Sequence, residues 1–198
     1  NGSIGDDILQ AGEDIWLRGL AYYDSGSRSF YTKDRPILTP DDLQGMKIRT
    51  QESPMAVSMV QAMGGSATPI AFGELYSALQ QGIVDGAENN APSFYLTQHY
   101  EVPPYYSLDE HTSVPDILLI STKVWDDLTP QQQQWLREAA VESAVVQRDL
   151  WRTATEEALQ AVEADTAENA PLRIDHRKRA NIVGKKVRAR GGGISVAV

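Results

Sequence analysis

Short segments in which apolar and polar residues alternate are interleaved along this chain with segments whose apolar residues recur at helical spacing. Alternation with a period of two favours half-buried strands, whereas a period near 3.6 favours amphipathic helices. We predict strands over residues 20–23, 28–31, 46–50 and 67–70, a short strand or turn beginning at 83–86, and helices over 6–18, 53–63 and 73–81. Strands that alternate with short helices in this way indicate an α/β architecture with a largely parallel sheet.

Proline and glycine mark the expected ends of these helices. Pro54 is placed at the first position of one helix, and Gly64 is placed just after its end. Thr39, followed by Pro40 and two acidic residues, predicts a capped single helical turn. Gly19 is expected to end the helix over residues 6–18.

A much longer helix is predicted after Pro130, because residues 131–163 contain neither glycine nor proline and their apolar residues recur at helical spacing. Thr129 is expected to cap this helix, with Pro130 at its first position. At 1.5 Å per residue the helix would be about 50 Å long, which exceeds the width of one small lobe. We therefore expect it to run through two lobes.

Composition is ordinary for a soluble globular protein, with 41% hydrophobic and 23% charged residues in a chain of 198. This length suffices for one large domain or two small lobes. The longest apolar run, residues 117–120, is far too short to cross a membrane and predicts a buried strand. The absence of cysteine is compatible with an exported protein and equally with a cytosolic one.

Charge is distributed unevenly along the chain. Residues 1–171 carry 10 basic and 26 acidic side chains, a net charge of −16, whereas residues 172–198 carry 8 basic and 1 acidic, a net charge of +7. An acidic body argues against nucleic acid as a partner, because phosphate binding requires a cationic face. An anionic ligand would need a local positive group.

Arg49 is the leading candidate for that group. It ends the predicted strand 46–50, and ligands of open α/β sheets gather at the carboxyl ends of strands. A guanidinium keeps its charge and matches a planar carboxylate through two parallel hydrogen bonds. The alternatives are an exposed arginine or one paired with Asp42 or Glu52.

Three ordered motifs, over residues 45–50, 72–82 and 84–90, resemble those of the solute-binding subunit of tripartite ATP-independent periplasmic (TRAP) transporters, the DctP family. The resemblance covers about residues 8–165. It implies a two-lobed α/β fold of the periplasmic binding protein type, type II-like, with a long helix bracing both lobes. It also implies a ligand-binding lobe at residues 27–114, with residues 1–26 and 115–154 forming the rest of the first lobe, the hinge strands and the long helix, whose end lies at 155–165.

The chain departs from the family pattern at both ends. The match begins well inside that pattern, so we expect an N-terminally incomplete chain with an incomplete first lobe. Residues 166–198 are basic and then glycine-rich without apolar periodicity, and we expect a disordered or non-native tail there, with contact to membrane lipid as an alternative.

The resemblance implies roles for five residues. Arg49 would form the salt bridge to the ligand carboxylate, with assistance from Arg28. The amide of Asn89 would donate to the ligand, and Asn90 could replace or supplement it. Phe72 would form an apolar wall of the ligand site.

Three other residues, like Arg49, have structural alternatives to these roles. Arg28 could pair instead with Asp24 or Glu88. Asn90 could serve as a turn residue, and a lone aromatic such as Phe72 is often part of a core.

Neither a metal nor another cofactor is expected, and we do not expect an enzyme. His99, His111 and His176 lack a second histidine or a cysteine at zinc-type spacing. A Gly-x-Ser-x-Gly motif, a dinucleotide-binding glycine pattern and a P-loop are also absent from the sequence. An α/β enzyme acting on an anionic substrate remains the alternative, supported by the two arginines and the acidic residues beside His111.

The function implied by the resemblance is that of a periplasmic receptor that captures a small organic acid and delivers it to the membrane permease of a TRAP transporter. Residues 87–90 and 106–112 are more similar to the uronate branch of the family than to the C4-dicarboxylate branch. A uronate is therefore the expected ligand, with a C4-dicarboxylate or a keto acid as the alternative.

Overall fold

The computed structural model of the protein describes residues 2–169 and 173–175. The chain forms two compact units. Unit 1 comprises the described parts of Asn1–Gly26 and Ser113–Glu157, and unit 2 comprises the described parts of Ser27–Thr112 and Ala158–Val198.

Unit 1 is built on an antiparallel pair of strands. Its elements are α1 (Gly2–Gln10), β1 (Leu17–Tyr23), β7 (Asp116–Ser121), α5 (Thr122–Asp126) and the first part of α6 (Pro130–Asn169). Strands β1 and β7 pair from Leu17 opposite Ser121 to Tyr23 opposite Asp116, with an irregularity between Gly19 and Ala21. Small side chains, Ala21, Ala140 and Ala144, form the buried core of this unit.

The helix expected over residues 6–18 is a point at which the structure corrects the sequence prediction. The helix ends at Gln10, and residues from Leu17 onward belong to strand β1. Gly19 does not end the helix but lies within β1. A Cβ at residue 19 would lie 2.9 Å from the Cα of Leu9, which is too close for any other residue. The glycine instead lets α1 approach β1 closely, and strand pairing overrides the local helical preference.

Unit 2 contains one sheet whose described strands have the order β4-β3-β5-β2-β6-β8. Strand β3 pairs parallel with both β4 and β5, β6 pairs parallel with β8, and β2 pairs antiparallel with β5. The strands are β2 (Ser27–Thr32), β3 (Lys47–Thr50), β4 (Ser66–Pro69), β5 (Gly86–Asn89), β6 (Tyr105–Ser113) and β8 (Arg173–Asp175). The helices are α2 (Pro54–Ala62), α3 (Leu75–Gln80), α4 (Ala91–Leu96) and the second part of α6.

Two apolar cores form on opposite faces of this sheet. Phe30 and Tyr31 are neighbours on β2, so their side chains point to opposite faces. Phe30 packs in a cluster with Ile37, Leu43, Met46, Ile48 and Val60. Tyr31 packs in the other cluster, which includes Phe94 and Tyr106 and residues Ala158 and Val162 of α6.

Most predicted elements are present with shifted ends. Ser53 caps α2, and Thr39 and Asp42 form a capping box at the single turn Pro40–Leu43. The hydroxyl of Thr129 accepts from the backbone N–H of Gln132 at the start of α6. The α/β architecture predicted from the alternating pattern is therefore present.

The C-terminal part differs from the expected tail. Helix α6 continues to Asn169, past the predicted end at residue 165, and Arg173–Asp175 pairs with β6 as β8, where Ile174 packs against the core of Tyr31. The rest of the predicted tail, residues 170–172 and 176–198, lies outside the described residues. Among those that are described, no helix is both long and apolar enough to span a membrane.

Candidate functional site

Arg49 lies on β3, the second strand in the order of the unit 2 sheet, which is flanked on both sides by parallel neighbours. The residue is buried, with 2% of its surface exposed. Its Nε donates to the carbonyl oxygen of Ile70 at 2.9 Å. Its two terminal nitrogens donate to no residue within 2–169 or 173–175, so the end of the guanidinium is open to another acceptor.

The ion pairs considered for Arg49 from the sequence are not formed among the described residues. Asp42 instead accepts from the backbone N–H groups of Leu38 and Thr39, at 2.9 and 2.8 Å. Burial lowers the pKa of Arg49 from its ordinary value, although the guanidinium remains charged at neutral pH. A buried cation without a carboxylate of its own favours an anion from solution.

Phe72 lies beside this cation. The Cζ of Arg49 is 5.6 Å from the centre of the Phe72 ring, within range of a cation–π interaction. The side chain is 45% exposed, which is unusual for a phenylalanine of a packed core. Phe72 therefore presents an apolar surface next to the open end of Arg49.

Arg28 is already paired. Its Nε donates to Oε2 of Glu88, its Nη2 donates to Oε1 of Glu88 at 2.8 Å, and the same Nη2 reaches the Glu88 carbonyl at 3.0 Å. Its Nη1 donates to Oδ1 of Asn89 at 2.9 Å. Of the two structural alternatives, Glu88 rather than Asp24 is the partner. Burial alone would lower the pKa of Arg28, but the hydrogen bond and charge of Glu88 raise it.

His111 completes a buried network around Glu88. Its Nδ1 bonds to Oδ2 of Asp109 at 2.7 Å, its Nε2 lies 3.7 Å from Oε2 of Glu88, and its ring stacks on Phe30 with centres 4.1 Å apart. Burial alone would lower the pKa of His111, but the two carboxylates raise it above its ordinary value. Burial would raise the pKa of Glu88, and His111 and Arg28 together lower it.

Asn89 and Asn90 have different environments. The Oδ1 of Asn89 accepts from Nη1 of Arg28 and from the backbone N–H of Asn90, both at 2.9 Å, which fixes the orientation of the amide. Its Nδ2 donates to no residue of the described chain. The Oδ1 of Asn90 accepts from the backbone N–H of Ser93 and caps α4.

His99 also lies beside Phe72. Its ring makes an edge contact with that of Phe72, with centres 5.6 Å apart, and its Nδ1 is 3.1 Å from the hydroxyl oxygen of Tyr31. Burial and the charge of Arg49 lower the pKa of His99 to about 4, so the ring is neutral near pH 7. Burial, with the charge of Glu88, raises the pKa of Tyr31, so its hydroxyl stays protonated.

The charges of these groups do not cancel. With His111 protonated, Arg28, Arg49 and His111 provide three positive charges against those of Glu88 and Asp109. Arg28 and His111 contact the two carboxylates directly, whereas Arg49 contacts neither. The uncompensated charge is therefore that of Arg49, as an anion-binding site requires.

The sequence analysis placed Arg28, Arg49, Phe72, Asn89 and Asn90 near one another, and all five lie in unit 2. It did not identify the network or the aromatic support. Glu88 entered only as an alternative partner of Arg28, and His111 and His99 only as metal ligands or catalytic bases. Local spacing does not predict these contacts, because the network joins β2, β5 and β6 across the sheet, and the aromatic contacts join β2 to two short turns.

Within residues 2–169 and 173–175, no group of three or more histidine, cysteine, aspartate or glutamate side chains is arranged to hold a metal ion. Asp109 instead bonds to His111, and Glu88 pairs with Arg28, whereas Nε2 of His111 lies 3.7 Å from Glu88 without a hydrogen bond.

Known proteins that are similar to this chain are solute-binding proteins. Residues 1–188 match the profile of the bacterial extracellular solute-binding proteins of family 7, DctP. A solute-binding protein of Chromohalobacter salexigens is 44% identical over 161 residues, which are 81% of this chain and 47% of that protein. The chain spans about half the length of the curated relatives it matches.

Solved structures also match this chain over about half of their own length. A TRAP periplasmic solute-binding protein from Chromohalobacter salexigens, solved with bound D-glucuronate, matches with a TM-score of 0.82 and 40% identity, covering 88% of this chain and 56% of that one. A TRAP periplasmic solute-binding protein from Sulfitobacter sp. NAS-14.1, solved with bound β-D-galacturonate, matches with a TM-score of 0.81, 40% identity and the same coverage. These matches confirm the α/β binding-protein fold and the resemblance drawn from the three motifs. The chain belongs to family 7 of the bacterial extracellular solute-binding proteins, the DctP family of TRAP transporter subunits.

Proposed function

We propose that this chain carries the carboxylate-binding site of an extracytoplasmic receptor of a TRAP transporter. The receptor acts in the periplasm, captures a small organic acid, best a uronate, and delivers it to the membrane permease without altering it chemically. Two similar structures were solved with uronates bound, which supports this ligand class.

The observation that carries the proposal is that the end of the Arg49 guanidinium has no partner among the described residues. Its Nε is occupied by Ile70, and its terminal nitrogens are not bonded to the described chain. A carboxylate can therefore bind end-on, accepting one hydrogen bond from each terminal nitrogen. Burial strengthens this charge pair relative to the same pair in water.

Neighbouring groups are suited to the rest of a sugar acid. The Nδ2 of Asn89 supplies a neutral donor to the carboxylate or to a ring hydroxyl. The exposed face of Phe72 offers an apolar surface to the carbon–hydrogen face of a pyranose ring. Arg28 acts indirectly in this proposal, because its donors hold Glu88 and orient Asn89.

A C4-dicarboxylate is less well suited to this site. Its second carboxylate would need a second cation, and the nearby guanidinium of Arg28 is already neutralised by Glu88. A uronate or other monoanion needs only Arg49. The site therefore suits monoanions in general, and we expect uronates to bind more tightly than dicarboxylates.

An enzyme is also less well suited. Asp109 and His111 resemble the orienting half of a Ser-His-Asp triad, in which the second ring nitrogen would face a nucleophile. Here that nitrogen faces the carboxylate of Glu88, and the His111 side chain is fully buried. The pair therefore stabilises the fold and leaves no base for a substrate.

The test is a binding titration of the isotopically labelled protein followed by NMR, with D-glucuronate, D-galacturonate, succinate, pyruvate and neutral glucose. We expect uronates to shift the backbone resonances of residues around Arg49, with weaker binding of succinate and none of glucose. Arg49→Lys should weaken uronate binding at least tenfold, a loss of about 1.4 kcal/mol or more, since an ammonium cannot reproduce the two-pronged geometry.

Arg35→Lys is the matched control, because Arg35 is exposed and bonds to the carbonyl oxygens of Asp42 and Gln44. It should leave uronate affinity unchanged. Equal affinity of the wild type and Arg49→Lys would contradict the proposal. Conversion of any of the acids to a product during the titration would support the enzyme alternative.

A further inference from the structure

A row of aromatic contacts connects the core of unit 2 to the open end of Arg49. Tyr31 packs against Phe94 with ring centres 4.8 Å apart, and its hydroxyl bonds to His99. His99 makes the edge contact with Phe72, and Phe72 lies beside Arg49. Three of these rings are buried, and only that of Phe72 reaches the surface.

Phe72 needs such support because its own backbone provides little. It begins the short turn Phe72–Glu74, which precedes α3, and its side chain is 45% exposed. A half-exposed side chain on a turn is free to change rotamer unless another group holds it. His99 is the ring that the structure places against it.

We propose that His99 is a positioning residue of the anion site, which holds the ring of Phe72 beside the guanidinium of Arg49 while Tyr31 anchors the imidazole. The inference rests on the proposed function for its consequence in ligand binding. Its geometric part, the placement of Phe72, can be measured without a ligand.

The chemistry of an imidazole fits this role. Tyr31 is fully buried and its hydroxyl needs a hydrogen-bond partner, which a phenylalanine at residue 99 would not provide. A lysine or arginine there would place a second charge next to Arg49. Among the described residues, the titratable and charged groups facing His99 are Tyr31 on β2 and Arg49 on β3. Burial of the imidazole itself, and then the charge of Arg49, lowers its pKa to about 4, so the ring is neutral near pH 7.

The first readout is the 19F resonance of para-fluorophenylalanine introduced at residue 72 of the whole chain. His99→Ala should shift or broaden this resonance, because the ring loses its edge contact. Val60→Ala is the control: Val60 is fully buried in the core on the other face of the sheet, so this variant lowers stability without touching Phe72. If His99→Ala changes the fluorine resonance no more than Val60→Ala does, the inference is overturned.

The second readout is D-glucuronate affinity. His99→Ala should weaken binding about threefold to tenfold, the range of a cation–π or aromatic edge contact. Combining Tyr31→Phe with His99→Phe keeps a ring at residue 99 and leaves no unpaired hydroxyl, so it should restore affinity to within about twofold. A loss in this double variant equal to that in His99→Ala would contradict the proposed ring support.

A double-mutant cycle separates positioning from general destabilisation. If His99 acts through Phe72, His99→Ala should weaken binding by less than about 1.5-fold in a Phe72→Leu background. Full additivity would overturn the inference. If Arg49→Lys leaves binding unchanged, the proposed function fails. If Arg49→Lys loses binding but His99→Ala changes neither the affinity nor the fluorine resonance, only the role of His99 is refuted.

Discussion

The side chains of Arg28 and Glu88 form a two-pronged ion pair, in which Nε of Arg28 donates to Oε2 of Glu88 and Nη2 donates to Oε1 at 2.8 Å. Glu88 is 2% exposed and also faces His111. Together with the bonds to the Glu88 carbonyl and to Asn89, this pair uses most of the donors of Arg28. Of the two arginines, Arg49 is therefore the one whose terminal nitrogens donate to no described residue.

Glu88→Gln should lower the free energy of unfolding by about 3–5 kcal/mol, because it leaves Arg28 and His111 with one carboxylate fewer in a buried site. Urea unfolding at about pH 6 measures the change. Glu52→Gln is the matched control, since Glu52 is exposed, and should change stability by less than about 0.5 kcal/mol. Equal effects of the two substitutions would show that the network does not stabilise the fold.

The stability contributed by His111 should depend on pH. Its pKa is raised in the folded protein above the ordinary 6.5, so the folded state binds the proton more tightly than the unfolded state. Its contribution is fully present below about pH 6.5 and is lost as the pH rises through the folded pKa. The difference in unfolding free energy between the wild type and His111→Gln should therefore be largest below about pH 6.5 and shrink as the pH rises through the folded pKa.

His99→Gln is the control for this pH dependence. The pKa of His99 is lowered to about 4, so both folded and unfolded states carry a neutral ring above about pH 7.5. The difference between the wild type and His99→Gln should be constant above that pH. A constant difference for His111→Gln as well would mean that His111 is not held as a cation.

The parts of the fold predicted from the sequence are those fixed by local chemistry. The capping residues Ser53, Thr39 and Thr129 satisfy the first N–H groups of their own helices, and a nearby proline fixes the backbone at each start. Arg49 was selected from its place near the end of a predicted strand together with the resemblance of the flanking motifs to those of TRAP binding proteins. Its role as a ligand contact remains a prediction.

Contacts between distant strands could not be predicted in this way. The sheet order β4-β3-β5-β2-β6-β8 brings Arg28, Glu88 and His111 together from three strands that are far apart in sequence. Gly19 was misread for a related reason: its role depends on the close approach of Leu9, which belongs to another element. Both cases depend on tertiary packing, which periodicity and turn signals do not encode.

Gly86→Ala should destabilise the protein by about 1–3 kcal/mol. An added Cβ would collide with the carbonyl oxygen of Tyr31 and lie 2.7 Å from Cγ2 of Thr32, on the neighbouring strand β2. Gly73→Ala is the control, because a Cβ there meets nothing within 4 Å and its φ lies outside the left-handed region. Thermal or urea unfolding measures both; similar midpoints for the two variants would contradict the close packing of β2 and β5.

Asn89 and Asn90 should separate ligand binding from stability. Asn89→Ala removes the amide whose Nδ2 is not bonded to the described chain, and it should weaken D-glucuronate binding by about 1–3 kcal/mol. Asn90→Ala removes the cap of α4 and should instead lower the free energy of unfolding by about 0.5–2 kcal/mol, with affinity within about twofold of the wild type. NMR titration and urea unfolding of both variants measure the two effects. If Asn90→Ala is the variant that loses affinity, then Asn90 is the ligand-binding amide and the open Nδ2 of Asn89 serves another purpose.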